Sequence, residues 1–210
     1  MADGYDRHAK TGQSEGASYN NFDISTRSEN TINFKMAYDT TTGVTLAEAR
    51  NELVSAEPWF EDEHGLVFNE WNSNAAWTSS GQSTTNCSSV KSHAESDANW
   101  SSGNYGSADI LAVFSDGHMS STSPKACADV PVSGGTHPSL YVDIRTSDSD
   151  YNRDRRVAHE LTHNYGFSHL SSCTGAIPGL MSVTDTSYCD YIINWSPAND
   201  VTLENRRGWY

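Results

Sequence analysis

The chain has 210 residues and a formal net charge of −14, with 36 % hydrophobic residues. That length suits one domain with a core of its own. The acidic balance argues against nucleic acid and anionic membrane surfaces as partners, and no run of 18 apolar residues is present to cross a bilayer.

Residues 1–30 are polar and turn-rich, without the apolar centre of a signal peptide, and read as an N-terminal arm or tail. Met1 is therefore read as the start of a mature or engineered chain. A single domain is expected over 31–210. Ile32, Phe34, Met36 and Tyr38 alternate as a half-buried strand does. Thr45-Leu46-Ala47-Glu48 has the form of a capping box, Leu46, Ala49 and Leu53 continue a helical stripe, and Pro58 stops it. Leu66 to Trp71 reads as a second strand.

Asn72 to Ser107 is rich in Ser, Asn and Gly, shows no periodicity, and reads as a long loop. A loop of that length inside a compact domain should be functional or tied down, so a bridge from Cys87 to Cys127 is expected to anchor it. Ala108 to Phe114 is almost continuously apolar and suits a central buried strand. Lys125 to Val130 reads as an edge strand, and Leu140, Val142 and Ile144 alternate into a last one. Four cysteines, Cys87, Cys127, Cys173 and Cys189, without Cys-x-x-Cys spacing suggest two disulfides and a secreted protein.

Asp148, Asp150, Asn152 and Asp154 precede the next helix. Their spacing starts like a calcium loop, which makes calcium a second candidate ion, but Arg153 stands where that loop needs glycine. Capping of the following helix is the better reading. That helix carries His159-Glu160-Leu161-Thr162-His163-Asn164-Tyr165-Gly166-Phe167-Ser168-His169. Residues four apart share a helix face, so His159 and His163 can reach one metal ion, with Glu160 beside them. His169 would be carried about 15 Å along a continuing helix. The chain must turn back, and Gly166 is the expected hinge, because glycine adopts a left-handed helix end at least cost. Val157, Leu161 and Tyr165 supply an apolar stripe on the other side. Three imidazoles with an open fourth position form the ligand set of a catalytic zinc. Further on, Ser196-Pro197 reads as the start of a final helix that Gly208 ends. His64, His93, His118 and His137 follow no metal-site spacing and read as surface residues.

The pattern from His159 to His169, with Met181 in Gly-Leu-Met-Ser downstream, resembles the metzincin zinc endopeptidases. The tail from Cys173 to Cys189 is similar to that of small secreted snapalysin-type proteases. Those carry Asp as third zinc ligand, and His169 is in this respect similar to the matrixins. The resemblance implies an α/β (α+β) zincin fold: a twisted, mostly parallel five-stranded sheet with two long helices, above a small C-terminal subdomain with a third helix. The upper part would run to about residue 166 and the lower over 167–210. It further implies Met181 as an apolar floor beneath the histidines. The segment after the Met-turn, with Val183, Tyr188 and Tyr191 and a Cys173 to Cys189 bridge, would wall the pocket for the residue after the scissile bond.

The expected activity is hydrolysis of internal peptide bonds in extended polypeptides, by a zinc-activated water with Glu160 as general base. Large hydrophobic or aromatic residues after the cut would be favoured. Partners would be protein or peptide substrates, and the chain a monomer. The alternative is a non-catalytic secreted binding or adhesion domain with zinc as a staple. Glu160 separates the two, since a structural site has no use for a general base.

Overall fold

The computed structural model describes residues 31–57, 60, 66–70, 74–131, 137–145, 147–148 and 150–166. In chain order these form β1 (Thr31–Asp39), α1 (Leu46–Ala56), β2 (Val67–Glu70), β3 (Ala75–Trp77) and α2 (Cys87–Asp97). Then follow β4 (Ile110–Ser115), β5 (Ala126–Ala128), β6 (Ser139–Asp143) and α3 (Asp150–Asn164).

The strands make one sheet in the order β2-β1-β4-β6-β5, with β3 also paired to β1. β2 pairs with Thr31 to Phe34 and β3 with Ala37 to Asp39, so the two short strands share one side of β1. β1, β4 and β6 run parallel, and only β5 is antiparallel, at the edge beside β6. Six strands replace the five expected.

Helices cover both faces. Ile32, Phe34 and Met36 of β1, with Ile110, Ala112, Phe114, Leu140 and Val142, pack beneath α1 and the Val157, Leu161 and Tyr165 stripe of α3. On the other face, Ala37, Leu111, Val113 and Tyr141 meet Cys87, Val90 and Ala94 of α2, flanked by Trp77 and Trp100. Every residue of β4 and β6 is therefore buried. The alternation of Leu140 and Val142 marks only the face toward α3.

The capping box of α1 forms as expected, with Glu48 N donating to Thr45 Oγ1 (3.2 Å) and Thr45 N to Glu48 Oε2 (2.7 Å). The segment 72–107, by contrast, is not a loop throughout, because it contains β3 and α2. Asn86 caps α2 by accepting from Ser89 N at 3.1 Å. The inward residues of α2 are Cys87, Val90, Lys91 and Ala94, a true i, i+3, i+4, i+7 stripe, but one with a single large aliphatic residue and a lysine. A disulfide joins Cys87 in the first turn of α2 to Cys127 in the middle of β5.

The start of α3 also differs from expectation. Asp150, Asn152 and Asp154 lie inside the helix rather than ahead of it, so they neither cap it nor form the calcium loop their spacing suggested. Acidic residues in a first helical turn complement the positive end of the helix dipole. Asp148, outside the helix, pairs with Arg156 in its second turn.

Candidate active site

α3 sets the geometry because its two faces do different things. Val157, Leu161 and Tyr165 are fully buried against the sheet. His159 and His163, one turn apart, bring their rings to a centroid separation of 4.9 Å at 87°. Glu160 lies next to them and is 6 % exposed, as is His163. Burial pushes the Glu160 carboxyl up to about 8, since a carboxylate loses its hydration there. Glu160 Oε2 is buried and has no hydrogen-bond partner among the described residues. A buried polar atom left in that condition costs the fold free energy, and calls for a ligand or a reacting group to meet it.

The helix stops directly after these residues. Tyr165 N donates to Thr162 O (3.1 Å) and Gly166 N to His163 O (2.7 Å), tighter bonds that close a last turn. Gly166 has φ +78°, the left-handed conformation that a side chain would strain. His169, Met181, Val183, Tyr188, Tyr191, Cys173 and Cys189 lie outside the described residues.

A cleft of about 800 Å³ opens over Glu160 and His163. One wall is the start of α2, with Thr85, Asn86 and Ser88, and the other is β5 with its continuation, Ala126, Ala128 and Val130; the Cys87–Cys127 bridge joins the walls. The register of β5 decides what this second wall offers. Asp129 N donates to Ser139 O (3.0 Å) and Asp143 N to Lys125 O (2.7 Å), so Lys125 and Asp129 turn their peptide groups toward β6. Alternation in an antiparallel pair then turns the N–H and C=O groups of Ala126, Ala128 and Val130 outward, to the cleft.

Two imidazoles on one helix face beside an orphaned buried carboxylate fit a zinc ion, with the third ligand expected from His169. Three of the remaining histidines have other surroundings. His93 faces Asp97 one turn on, His118 Nε2 lies 3.0 Å from Ser83 O, and His137 stacks on Tyr105. The sequence reading missed the α2 wall, because it took that segment for a loop; the signal available was Asn86 followed by the Cys87, Val90, Ala94 spacing. It also missed Asn164, whose amide reaches Asp129 O and Ser139 O at 3.0 and 3.1 Å.

The sequence matches no protein-family model and no curated protein. Solved structures do resemble it. Archaemetzincin from Methanopyrus kandleri superposes with a TM-score of 0.59 at 11 % identity, over 87 % of this chain and 98 % of that one. Metalloproteinase-II from Bacteroides fragilis superposes with a TM-score of 0.58 at 14 % identity, over 84 % of this chain; the chain spans 53 % of that structure. The chain has a mixed α/β fold, with a mostly parallel six-stranded sheet and three helices among the described residues, and it shares that fold with an archaemetzincin and a metalloproteinase.

Proposed function

We propose that this chain is a secreted, zinc-dependent endopeptidase that cuts extended polypeptides. The observation that carries the reading is Glu160 itself: a buried carboxylate with an unpartnered oxygen, next to His159 and one turn from His163, on the floor of a cleft bordered by a sheet edge. A staple-only metal site gives no reason to keep such a group.

His159, His163 and His169 would hold the ion, which when bound supplies Lewis acidity, bringing a water near a pKa of about 7 and polarising a carbonyl. Glu160 takes the proton of the attacking water and passes it to the leaving amine. The outward peptide groups of Ala126, Ala128 and Val130 bind the substrate as an added strand, which favours long, unfolded chains over dipeptides. After the scissile bond, Val183, Tyr188 and Tyr191 are proposed to favour large hydrophobic or aromatic side chains. The Cys87–Cys127 bridge suits an oxidising compartment outside the cell.

Casein digestion with and without phenanthroline tests the reading. Cleavage should be lost on chelation and return with added zinc. A chain that binds zinc stoichiometrically and leaves casein and decapeptides intact would overturn it.

A further inference from the structure

A three-residue edge strand is a weak element, yet the end of β5 is held from three directions. Asp129, the first residue after β5, donates its N–H to Ser139 O at 3.0 Å and accepts Asn164 Nδ2 on its carbonyl at 3.0 Å. Its carboxylate accepts Lys91 Nζ at 2.7 Å and Ser139 N at 2.8 Å. The same Asn164 amide also donates to Ser139 O at 3.1 Å, and so spans the last rung of the β5–β6 ladder. Asn164 is fully buried and directly follows His163.

Lys91 completes the clasp from α2. Its ammonium is buried and donates to Glu95 Oε1 (2.8 Å), Asp129 Oδ1 (2.7 Å) and Ser139 Oγ (2.7 Å), while Ser139 Oγ also meets the Glu95 carboxylate. Three donors thus find three acceptors, the condition under which a lysine tolerates burial. The residue so clasped sits between Ala128 and Val130, whose peptide groups turn to the cleft. Asn164 therefore links the substrate-facing stretch of β5 to the helix end that carries His163 by a path of one side chain.

We propose that Asn164 and Lys91 are positioning residues, which fix the height and register of β5 over Glu160 and His163 and so place a bound peptide. The inference rests on the endopeptidase reading and adds the groups that align its substrate. Two variants separate alignment from stability. Asn164→Asp keeps the size but faces carbonyl oxygens with a carboxylate. Lys91→Met removes the ammonium further from the proposed metal ligands and leaves behind carboxylates that are partly exposed, so it is the variant expected to fold if Asn164→Asp does not.

For zinc-loaded, folded Lys91→Met and Asn164→Asp, the KM for a decapeptide spanning β5 should rise about tenfold, with kcat, zinc content and the KM for a tetrapeptide that does not reach β5 within twofold. Amide exchange should quicken in a peptide covering 126–131 and stay unchanged over β4. A role in stability alone would reduce the active fraction equally for both peptides and leave KM untouched, and that result overturns the inference. A wild-type chain that cleaves neither peptide overturns the endopeptidase reading instead. The exchange data then decide whether the clasp holds β5: unchanged exchange at 126–131 in both variants rejects it.

Discussion

Arg153 Nε donates to Glu52 Oε1 at 3.0 Å, joining α3 to α1 over the same face of the sheet. Both side chains are largely buried, and Arg153 also donates to Asp148 O at 2.8 Å. Removing one partner strands a charge in a poorly hydrated place, which costs more than the pair itself contributes. Glu52→Ala should lower unfolding free energy by about 1.5–3 kcal/mol. The double replacement Glu52→Leu with Arg153→Met should recover most of that loss. Urea denaturation of Glu52→Leu, Arg153→Met and the double measures it, and additive losses would contradict the argument.

Glu160→Ala should keep its zinc and its fold while peptide cleavage falls roughly 10²- to 10⁴-fold. His163→Ala should instead lose the metal. Metal analysis beside the kinetics distinguishes the two, and near-normal cleavage by zinc-loaded Glu160→Ala would sink the assignment of a general base.

The zinc-free protein should become less stable as pH rises. The Glu160 carboxyl titrates at about 8 in the folded chain, against 4.5 for the unfolded reference. Between those values the native state keeps a proton that the unfolded state releases, so unfolding is favoured by up to about 1.4 kcal/mol per pH unit. Below 4.5 the effect vanishes. Glu160→Gln removes it, so in chelator the variant's stability advantage over wild type should grow from pH 5 to pH 8. Parallel pH profiles for the two proteins would contradict this.

Opening the Cys87–Cys127 bridge should destabilise the chain. The bridge closes a sequence separation of 40 residues, for which the chain-entropy model gives about 4 kcal/mol. Replacing both cysteines by serine and following thermal unfolding gives the measured value. A shift of less than a degree would mean that the unfolded chain was not constrained by the bridge.

Much of this fold was legible in the sequence, wherever one strong signal acted alone. The alternation from Ile32 to Tyr38, the Thr45 capping box, the apolar run of β4 and the His159–His163 spacing all describe local chemistry that tertiary contacts left in place. α2 was hidden for a physical reason. Its buried stripe uses Cys87, whose burial depends on a partner 40 residues away, and Lys91, whose burial depends on acceptors in Asp129 and Ser139. Neither looks apolar in isolation. Asn164 was hidden likewise, since a polar residue beside a proposed metal ligand says nothing about two distant carbonyls. The helix that carries Glu160 and His163 could be read in advance, but the cleft wall beside them is made by contacts far apart along the chain.

The sheet order carries a consequence for the time at which this molecule comes into being. Asn33 N bonds to Asp109 Oδ2 at 2.7 Å across 76 residues, and β1 pairs with β4 over that same span, whereas β4 with β6 and β6 with β5 pair between stretches much closer along the chain. Rates of folding fall as contacts become more distant in sequence. The β1–β4 pairing is therefore the one expected to form slowest, and until it forms the β1 side of Ile110 to Phe114 is open to aggregation and to other proteases. Until β6 joins, the edge strand has nothing to pair with and the cleft has no second wall. On the endopeptidase reading, the chain is thus most open to cleavage while its own sheet is still incomplete.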